Sequence, residues 1–325
     1  MLRASLGEDS CGFDPRGGLV VMSTDPITGA EEGIGRLAVH VACNDLAANG
    51  ARPLGVLVTL LLPPSSDETR VSSVMAEIDQ AARELGIEVL GGHTEVTPVV
   101  TQVVVSTTSV GLVSRDRLVT SSGARPGDVI VLTKGAGLEG TAILAADFED
   151  VLIPIVGRDC VERARSFAAE ISVVREGLLA AGLGVTAMHD VTEGGVLGAL
   201  FEMASASSVG FVLQLRDIPV RNETVEICRV AKVDPLKLVS SGSMLISCPA
   251  SRLSHLLREL GSAGILARAV GRFTRGSMIA IDRESGAEIP VGPPEADEIW
   301  TARRNLESMR ESGRRSESPA KGCAK

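Results

Sequence analysis

The sequence predicts a mixed α/β fold in roughly two domains, and three observations carry that reading. A chain of 325 residues is long enough to bury large cores. Hydrophobic residues make up 44%, yet there is one Trp, no Tyr and six Phe, so the core must be built from Val, Leu, Ile and Ala. Strand-like and helix-like segments also alternate along the chain without an internal repeat.

In chain order, residues 18–23 and 55–62 are apolar and β-branched enough for buried strands, and Pro63 and Pro64 end the second. Between them, Ile34, Leu37, Ala38, Val41, Ala42 and Leu46 hold a helical period that closes at Gly50. A second helix carries Val71, Val74, Met75, Ile78, Ala81, Ala82 and Leu85, with Ser66 or Asp67 as cap and Gly86 as stop. Residues 99–105 read as a further strand. The segment 121–128, with Gly123, Pro126 and Gly127, is the predicted domain boundary, and a new strand begins at 129–133. A long helical region then runs to about Ala181, followed by a strand and helix around residue 190 and strands near 210–215 and 244–247. The expected division is 1–120, 121–302 and a flexible polar tail at 303–325, which has little apolar content.

The net charge of −9 argues against nucleic acid as a partner, because sequence-independent binding to phosphodiesters needs excess Lys and Arg. A negative protein that binds nucleotides would use Mg²⁺ as the intermediary. No apolar run approaches the roughly 20 residues that span a bilayer, and no signal-peptide pattern opens the chain, so a cytoplasmic protein without a membrane partner is expected. Cys11, Cys43, Cys160, Cys228, Cys248 and Cys323 are scattered, with no C-x-x-C pair, which indicates neither a zinc site nor a disulfide framework. Gly135, Gly137 and Gly140 spell G-x-G-x-x-G, but the second parallel strand with its acidic end is missing downstream, so they read as a tight strand-to-helix turn.

Three clusters carry candidate chemistry. His189-Asp190-Val191-Thr192-Glu193-Gly194-Gly195-Val196 places an acidic residue and paired glycines at the mouth of a helix. That pattern fits a metal-phosphate site, in which a carboxylate holds a divalent cation and helix N-terminal N–H groups favour phosphate. It equally fits an ordinary helix start capped by Thr192. Asp45 falls near the middle of an otherwise apolar helical face, where an ionised carboxylate is costly unless a cation or several donors compensate it. A metal or phosphate role, with Asn44 as a further polar ligand, competes with a rim position bonded to a backbone N–H. Gly91-Gly92-His93-Thr94-Glu95 follows the apolar run 87–90 as a polar loop at a strand end. Its glycines would let backbone approach a ligand and its three side chains offer an imidazole, a hydroxyl and a carboxylate, although an exposed glycine turn has the same composition.

Taken in order, Gly7-Glu8-Asp9, Ser23-Thr24-Asp25-Pro26, Asn44-Asp45 with Gly50-Ala51-Arg52-Pro53, Gly91-Gly92-His93-Thr94-Glu95 and Asp190-Val191-Thr192-Glu193-Gly194-Gly195-Val196 resemble the motifs of the aminoimidazole ribonucleotide (AIR) synthase-related, PurM-like superfamily. The resemblance covers about residues 5 to 300. Within it, Asp-x-Thr-x-Gly-Gly-Val and the later Asp234-Pro235-Leu236 with Ser241-Gly242 are similar to the hydrogenase-maturation carbamoyl dehydratase, or HypE-like, branch. The resemblance implies an N-terminal domain that pairs with a second subunit into a β-barrel, a C-terminal α/β domain beside it, and ATP with Mg²⁺ in the cleft. Asp9, Asp25 and Asp45 would hold Mg²⁺, with Asp190 completing the cluster. Asn44, Asp45, Gly91, Gly92, His93, Thr94 and Glu95 would contact nucleotide, and catalysis would rest on Asp45, Asp190 and His93.

The expected function is therefore ATP-dependent activation of an oxygen on a small substrate by phosphorylation, in a HypE-related paralogue acting as a homodimer, with a maturation protein as a further partner. The alternatives are a nucleotide-binding or assembly protein without turnover, and a purine-type ring-closing synthase. Three departures accompany the resemblance. His93 stands where kinase-like members carry aspartate, so direct phosphate transfer is disfavoured. The end, Pro319-Ala320-Lys321-Gly322-Cys323-Ala324-Lys325, lacks the Pro-Arg-Ile-Cys acceptor tail. Only Met1 to Leu6 precede Gly7, which implies a truncated start or a more open site.

Overall fold

A computed structural model of the chain describes residues 11–13, 18–28, 30, 32–294 and 296–317. Its first half is built on strands β1 (Cys11–Phe13), β2 (Leu19–Ile27), β3 (Arg52–Leu62), β4 (Glu88–Val96) and β5 (Val104–Val113), with helices α1 (Ile34–Ala48) and α2 (Glu68–Leu85). The strands form one sheet in the order β1-β2-β5-β3-β4, in which β3 and β4 run parallel and the other neighbours antiparallel. α2 starts where Asp67 accepts a bond from the Arg70 N–H at 2.8 Å and stops at Gly86, whose φ of 65° is a left-handed turn suited to glycine.

The second half begins with β6 (Val129–Thr133) and the helices α3 (Leu138–Asp147), α4 (Glu149–Val156), α5 (Arg158–Ser166) and α6 (Val174–Gly182). It continues through β7 (Ala187–Asp190), α7 (Gly195–Ala206), β8 (Gly210–Gln214), α8 (Asn222–Ala231), β9 (Met244–Cys248), α9 (Leu253–Ser262), β10 (Ala267–Thr274), β11 (Met278–Ile281), β12 (Glu288–Pro290) and α10 (Glu298–Glu317). Seven strands make a sheet in the order β12-β11-β8-β10-β6-β9-β7. β6 pairs antiparallel with both β9 and β10, which excludes a parallel dinucleotide-binding unit around Gly135, Gly137 and Gly140. Those glycines do form the expected tight turn. A Cβ on Gly140 would come within 2.5 Å of the Leu238 side chain.

α1 joins the two halves. It lies against β2, β3 and β5 on one side and α6 on the other, so nearly every residue of it is buried. Gly177 of α6 permits this approach, because a Cβ there would stand 2.4 Å from the Ala47 carbonyl oxygen. The apolar cluster under α1 runs from Ile34 and Val39 through Val56 and Leu60 to Val131 and Ile246, so one core is continuous between the sheets.

Two expectations are corrected. Residues 91–95 are not a loop but the middle of strand β4, because Gly91 and Gly92 adopt φ of 147° and 154°, and a Cβ on Gly92 would lie 1.8 Å from the Val58 carbonyl oxygen. Only glycine lets β4 close on β3 there. Much of the segment expected as a flexible tail is also helical, since α10 runs to Glu317 and packs back on the protein. Ala302 and Leu306 are fully buried with Leu144, Phe148 and Val230, and Arg310 reaches Asp150 at 2.8 Å and stacks over the Phe148 ring at 4.7 Å. Low overall hydrophobicity hid a narrow apolar stripe that suffices to dock a helix. Leu306→Ala is expected to destabilise the chain by about 2–5 kcal/mol in urea unfolding. An unattached tail would leave the midpoint unchanged.

Candidate functional site: a buried carboxylate cluster beside α1

Three chain segments deliver carboxylates to one place. Asp25 lies on β2, opposite Thr107 of β5. Asp45 sits in the last turns of α1, and Asp190 is the final residue of β7. Asp45 and Asp190 are buried, and Asp25 is partly so. The Ser23 hydroxyl donates a short bond to Asp45. One oxygen of Asp25 and one of Asp190 are buried without any hydrogen-bond partner.

Burial, and then the charges of Asp190 and Asp25, raise the Asp45 carboxyl well above the usual carboxylate range. Asp25 is raised as well, chiefly by burial, although its bond with Asp45 works in the opposite direction. Asp45 is thus the more strongly raised of the two. Behind Asp190 stands His189, with one ring nitrogen 3.8 Å from Asp190 and the other 3.2 Å from Glu202. Burial alone would neutralise this imidazole, but the two carboxylates outweigh it and push it up to about 10. Sequence reasoning gives His189 no role. Its signal, a histidine directly before the motif aspartate, cannot be told from a core histidine by pattern alone.

Such an arrangement is unstable as it stands and suits a hard cation. Buried carboxylates with unsatisfied oxygens repel one another until a divalent ion neutralises them, and Mg²⁺ prefers a few carboxylates completed by phosphate oxygens and water. Among the described residues, no three His, Cys, Asp or Glu side chains form a ready cation cage, so phosphate oxygens would have to complete the shell. Asp9, the fourth expected ligand, lies outside the described residues.

The remaining expected site residues are placed differently. Asn44 is buried, but its amide donates to the Ile171 carbonyl at 2.9 Å and accepts from the Val173 N–H at 2.8 Å. Both ends of its side chain are thus committed to holding α1 against the second half of the chain, not to a nucleotide. The N-terminus of α7 is also taken. Asp297 accepts the Gly194 N–H at 2.7 Å and also faces the Val239 and Ile299 N–H groups, which leaves Thr192 with no capping bond and occupies the place expected for phosphate. Gly91, Gly92, His93, Thr94 and Glu95 lie along β4, exposed at the sheet edge, with His93 3.6 Å from Glu95. Since β5 and β3 separate β2 from β4, three strand spacings, about 14 Å, stand between Asp25 and this strand within one chain. His93 is therefore not brought to Asp45 and Asp190. Sequence order carries no warning of this, because it does not reveal which sheet edge a strand occupies.

Two packed halves on mixed sheets, with aspartates converging from both, define a member of the AIR synthase-related family. The family's N-terminal domain model matches residues 7–113 and its C-terminal domain model residues 125–283, and the chain belongs to this family. Within it the chain lies on the HypE-like branch. Carbamoyl dehydratase HypE of Cupriavidus necator is 32% identical over 315 residues, covering 87% of this chain and 85% of the relative. HypE solved in complex with ATP matches with a TM-score of 0.74 at 25% identity, covering 86% of each chain. A HypE–HypF complex matches with a TM-score of 0.74 at 20% identity, covering 89% of this chain and 94% of that one, a likeness of fold. No helix among the described residues is long and apolar enough to cross a membrane.

Proposed function

We propose that this chain binds ATP with Mg²⁺ and uses it to activate the oxygen of a small carbamoyl-type substrate, as a cytoplasmic dehydratase of hydrogenase maturation. The observation that supports the reading most is the trio Asp25, Asp45 and Asp190, in which Asp25 and Asp45 are raised in pKa and Asp25 and Asp190 each keep a buried oxygen without a hydrogen-bond partner. When bound, Mg²⁺ would neutralise charge developing on the phosphates. Asp25, Asp45 and Asp190 would hold it, together with Asp9, and His189 would keep Asp190 oriented. In the reaction the amide oxygen attacks the γ-phosphate and ADP departs. Loss of the phosphate carrying that oxygen, with protons leaving the nitrogen, then converts –CO–NH₂ to a nitrile, so one ATP gives ADP and phosphate.

A second copy of the chain would complete the site. β4 is an open edge, and Leu54, Leu57, Val89, Leu90, Val96 and Leu112 are exposed along or near it, a face that soluble chains normally cover. A homodimer closed on that edge would bury the patch and carry Gly91 to Glu95 toward the partner's nucleotide. A HypF-type maturation protein is the further partner the reading implies. The division into domains at 1–120 and 121–302 goes with it.

The test is phosphate release from ATP with Mg²⁺, with and without a carbamoyl donor, alongside the mass of the chain in solution. Turnover that requires both Mg²⁺ and donor supports the reading. Nucleotide binding without phosphate release under any donor would favour an assembly protein, and release driven only by a formylglycinamidine would favour ring closure.

A further inference from the structure

Toward the N-terminal end of α1 from Asp45 lies a separate cavity of about 220 Å³ between α1, α3 and the segment around Ala168. Its wall is mostly apolar, including Leu37, Ala142, Ile143 and Ile171, and its polar groups are Glu32, Arg36, His40, Glu139, Asp147 and Arg165. We propose that this cavity is a binding site for a small uncharged amide, read by His40 and Glu139 together; as the substrate pocket of the enzyme, it rests on the function proposed above.

The argument starts with His40. It is 2% exposed, and neither ring nitrogen has a hydrogen-bond partner. The nearest carboxylate, Glu84, stands 3.8 Å from its Nε2, beyond hydrogen-bond reach. Burial, and then the Arg36 charge, hold the imidazole neutral by lowering it to about 4. A neutral imidazole carries one donor and one acceptor, and leaving both unmade in a buried wall is costly unless a ligand or water meets them. Glu139 is the second unusual group. Burial pushes its carboxyl up to about 7, and it accepts the Ser241 N–H at 3.2 Å. A carboxylic acid at that position offers a donor to a carbonyl oxygen.

The charges exclude the obvious alternative, an anion. Arg36 is held by Glu84 through both terminal nitrogens, at 2.8 and 2.7 Å. Arg165 is held by Glu149 at 2.7 Å and Glu32 at 2.9 Å. Both guanidinium groups in the wall are thus already neutralised, and Asp147 is likewise paired, with Arg303 at 2.5 Å, so among the described residues the wall offers an anion no free cation. The volume falls below the roughly 300–1,000 Å³ usual for drug-sized ligands, too small for a nucleotide. A planar primary amide, with a donor and an acceptor side by side and no charge, matches the size, the apolar wall and the donor and acceptor offered by His40 and Glu139.

The experiment uses the full chain with ¹⁵N-labelled histidine and titrates propionamide, propionate and 2-butanone while following the His40 ring nitrogens. Propionamide is expected to shift them saturably, propionate at least tenfold more weakly, and 2-butanone, which has no N–H, also more weakly. His40→Leu and Glu139→Gln should each weaken propionamide binding at least tenfold, measured for His40→Leu by ligand line broadening. If His40→Leu fails to fold, Glu139→Gln carries the test. Equal binding of propionate or 2-butanone, undiminished binding in a folded variant, or no shift up to the solubility limit overturns the proposal. Calorimetry of Mg²⁺-ATP on the same wild-type sample separates the two readings. ATP binding without amide binding removes the pocket alone; amide binding without ATP binding removes the proposed function and leaves an amide site.

Discussion

Asp45→Asn is expected to abolish Mg²⁺-dependent ATP binding and, in the same variant, to raise the stability of the nucleotide-free chain by about 1–2 kcal/mol. Both effects come from one feature. Asp45 is buried on α1 beside Asp25 and Asp190, and its carboxyl is raised well above the ordinary range by burial and by those two charges. An acid whose folded pKa is raised contributes stability below its unfolded pKa, and that contribution is lost as pH rises toward the folded value. At neutral pH the cluster is therefore a destabilising element of the empty protein, and an uncharged isostere relieves it. The Ser23 hydroxyl can still donate to the side-chain oxygen of the introduced asparagine, so the packing of α1 should survive. With a divalent cation present the logic reverses, because the same charges become ligands and the variant lacks one of them. Calorimetry with Mg²⁺-ATP gives the first readout and urea unfolding without nucleotide the second. A variant that binds ATP normally would remove Asp45 from the metal site. Loss of both binding and stability would instead make Asp45 a structural residue.

The same residue shows what a sequence can reveal. A carboxylate at the centre of an apolar helical face is visible in a linear pattern, because burial can be inferred from period and charge from residue type. Asp45 and the helix around it are legible this way, as is Asp190 at the end of its strand. Asn44 misleads for the converse reason. A buried amide is satisfied by whatever backbone arrives from elsewhere, here Ile171 and Val173 more than a hundred residues away, and no local pattern encodes that arrival. The α7 N-terminus misleads in the same way, since its partner Asp297 lies about a hundred residues downstream. Gly91 to Glu95 resemble a loop because paired glycines usually break strands. In this sheet they permit β4 to lie against the Val58 backbone, a close approach that only the three-dimensional register reveals. His40, within the apolar period of α1, announces itself as neither core nor site. Its unpartnered ring becomes visible only when its neighbours are known.

That ring and Glu139 give the second large effect, a pair of opposite pH dependences that nearly cancel in the wild-type chain. Glu139 is raised from 4.5 to about 7, chiefly by burial, so between those values the folded state holds a proton the unfolded state has lost, and stability falls as pH rises. His40 is lowered from 6.5 to about 4, again chiefly by burial, so over that interval the unfolded state binds the extra proton and stability rises with pH. Each shift amounts to about 3 kcal/mol across its window. The groups that perturb one are not those that perturb the other: Arg36, Glu84 and Lys134 act on His40, whereas Ser241, Glu193 and Asp297 act on Glu139. Removing either should therefore uncover the other. Measured as the difference from wild type, so that other titrating groups drop out, Glu139→Gln should gain stability steadily from pH 4.5 to 7 and then level off. His40→Leu should show its greatest relative stability near pH 4 and lose that advantage by pH 6.5. Urea unfolding at half-unit pH steps on the three proteins reads both curves. Flat differences would mean that water reaches both groups and that the cavity is open to solvent, whereas slopes of the same sign would mean that the two share a proton and titrate as one site.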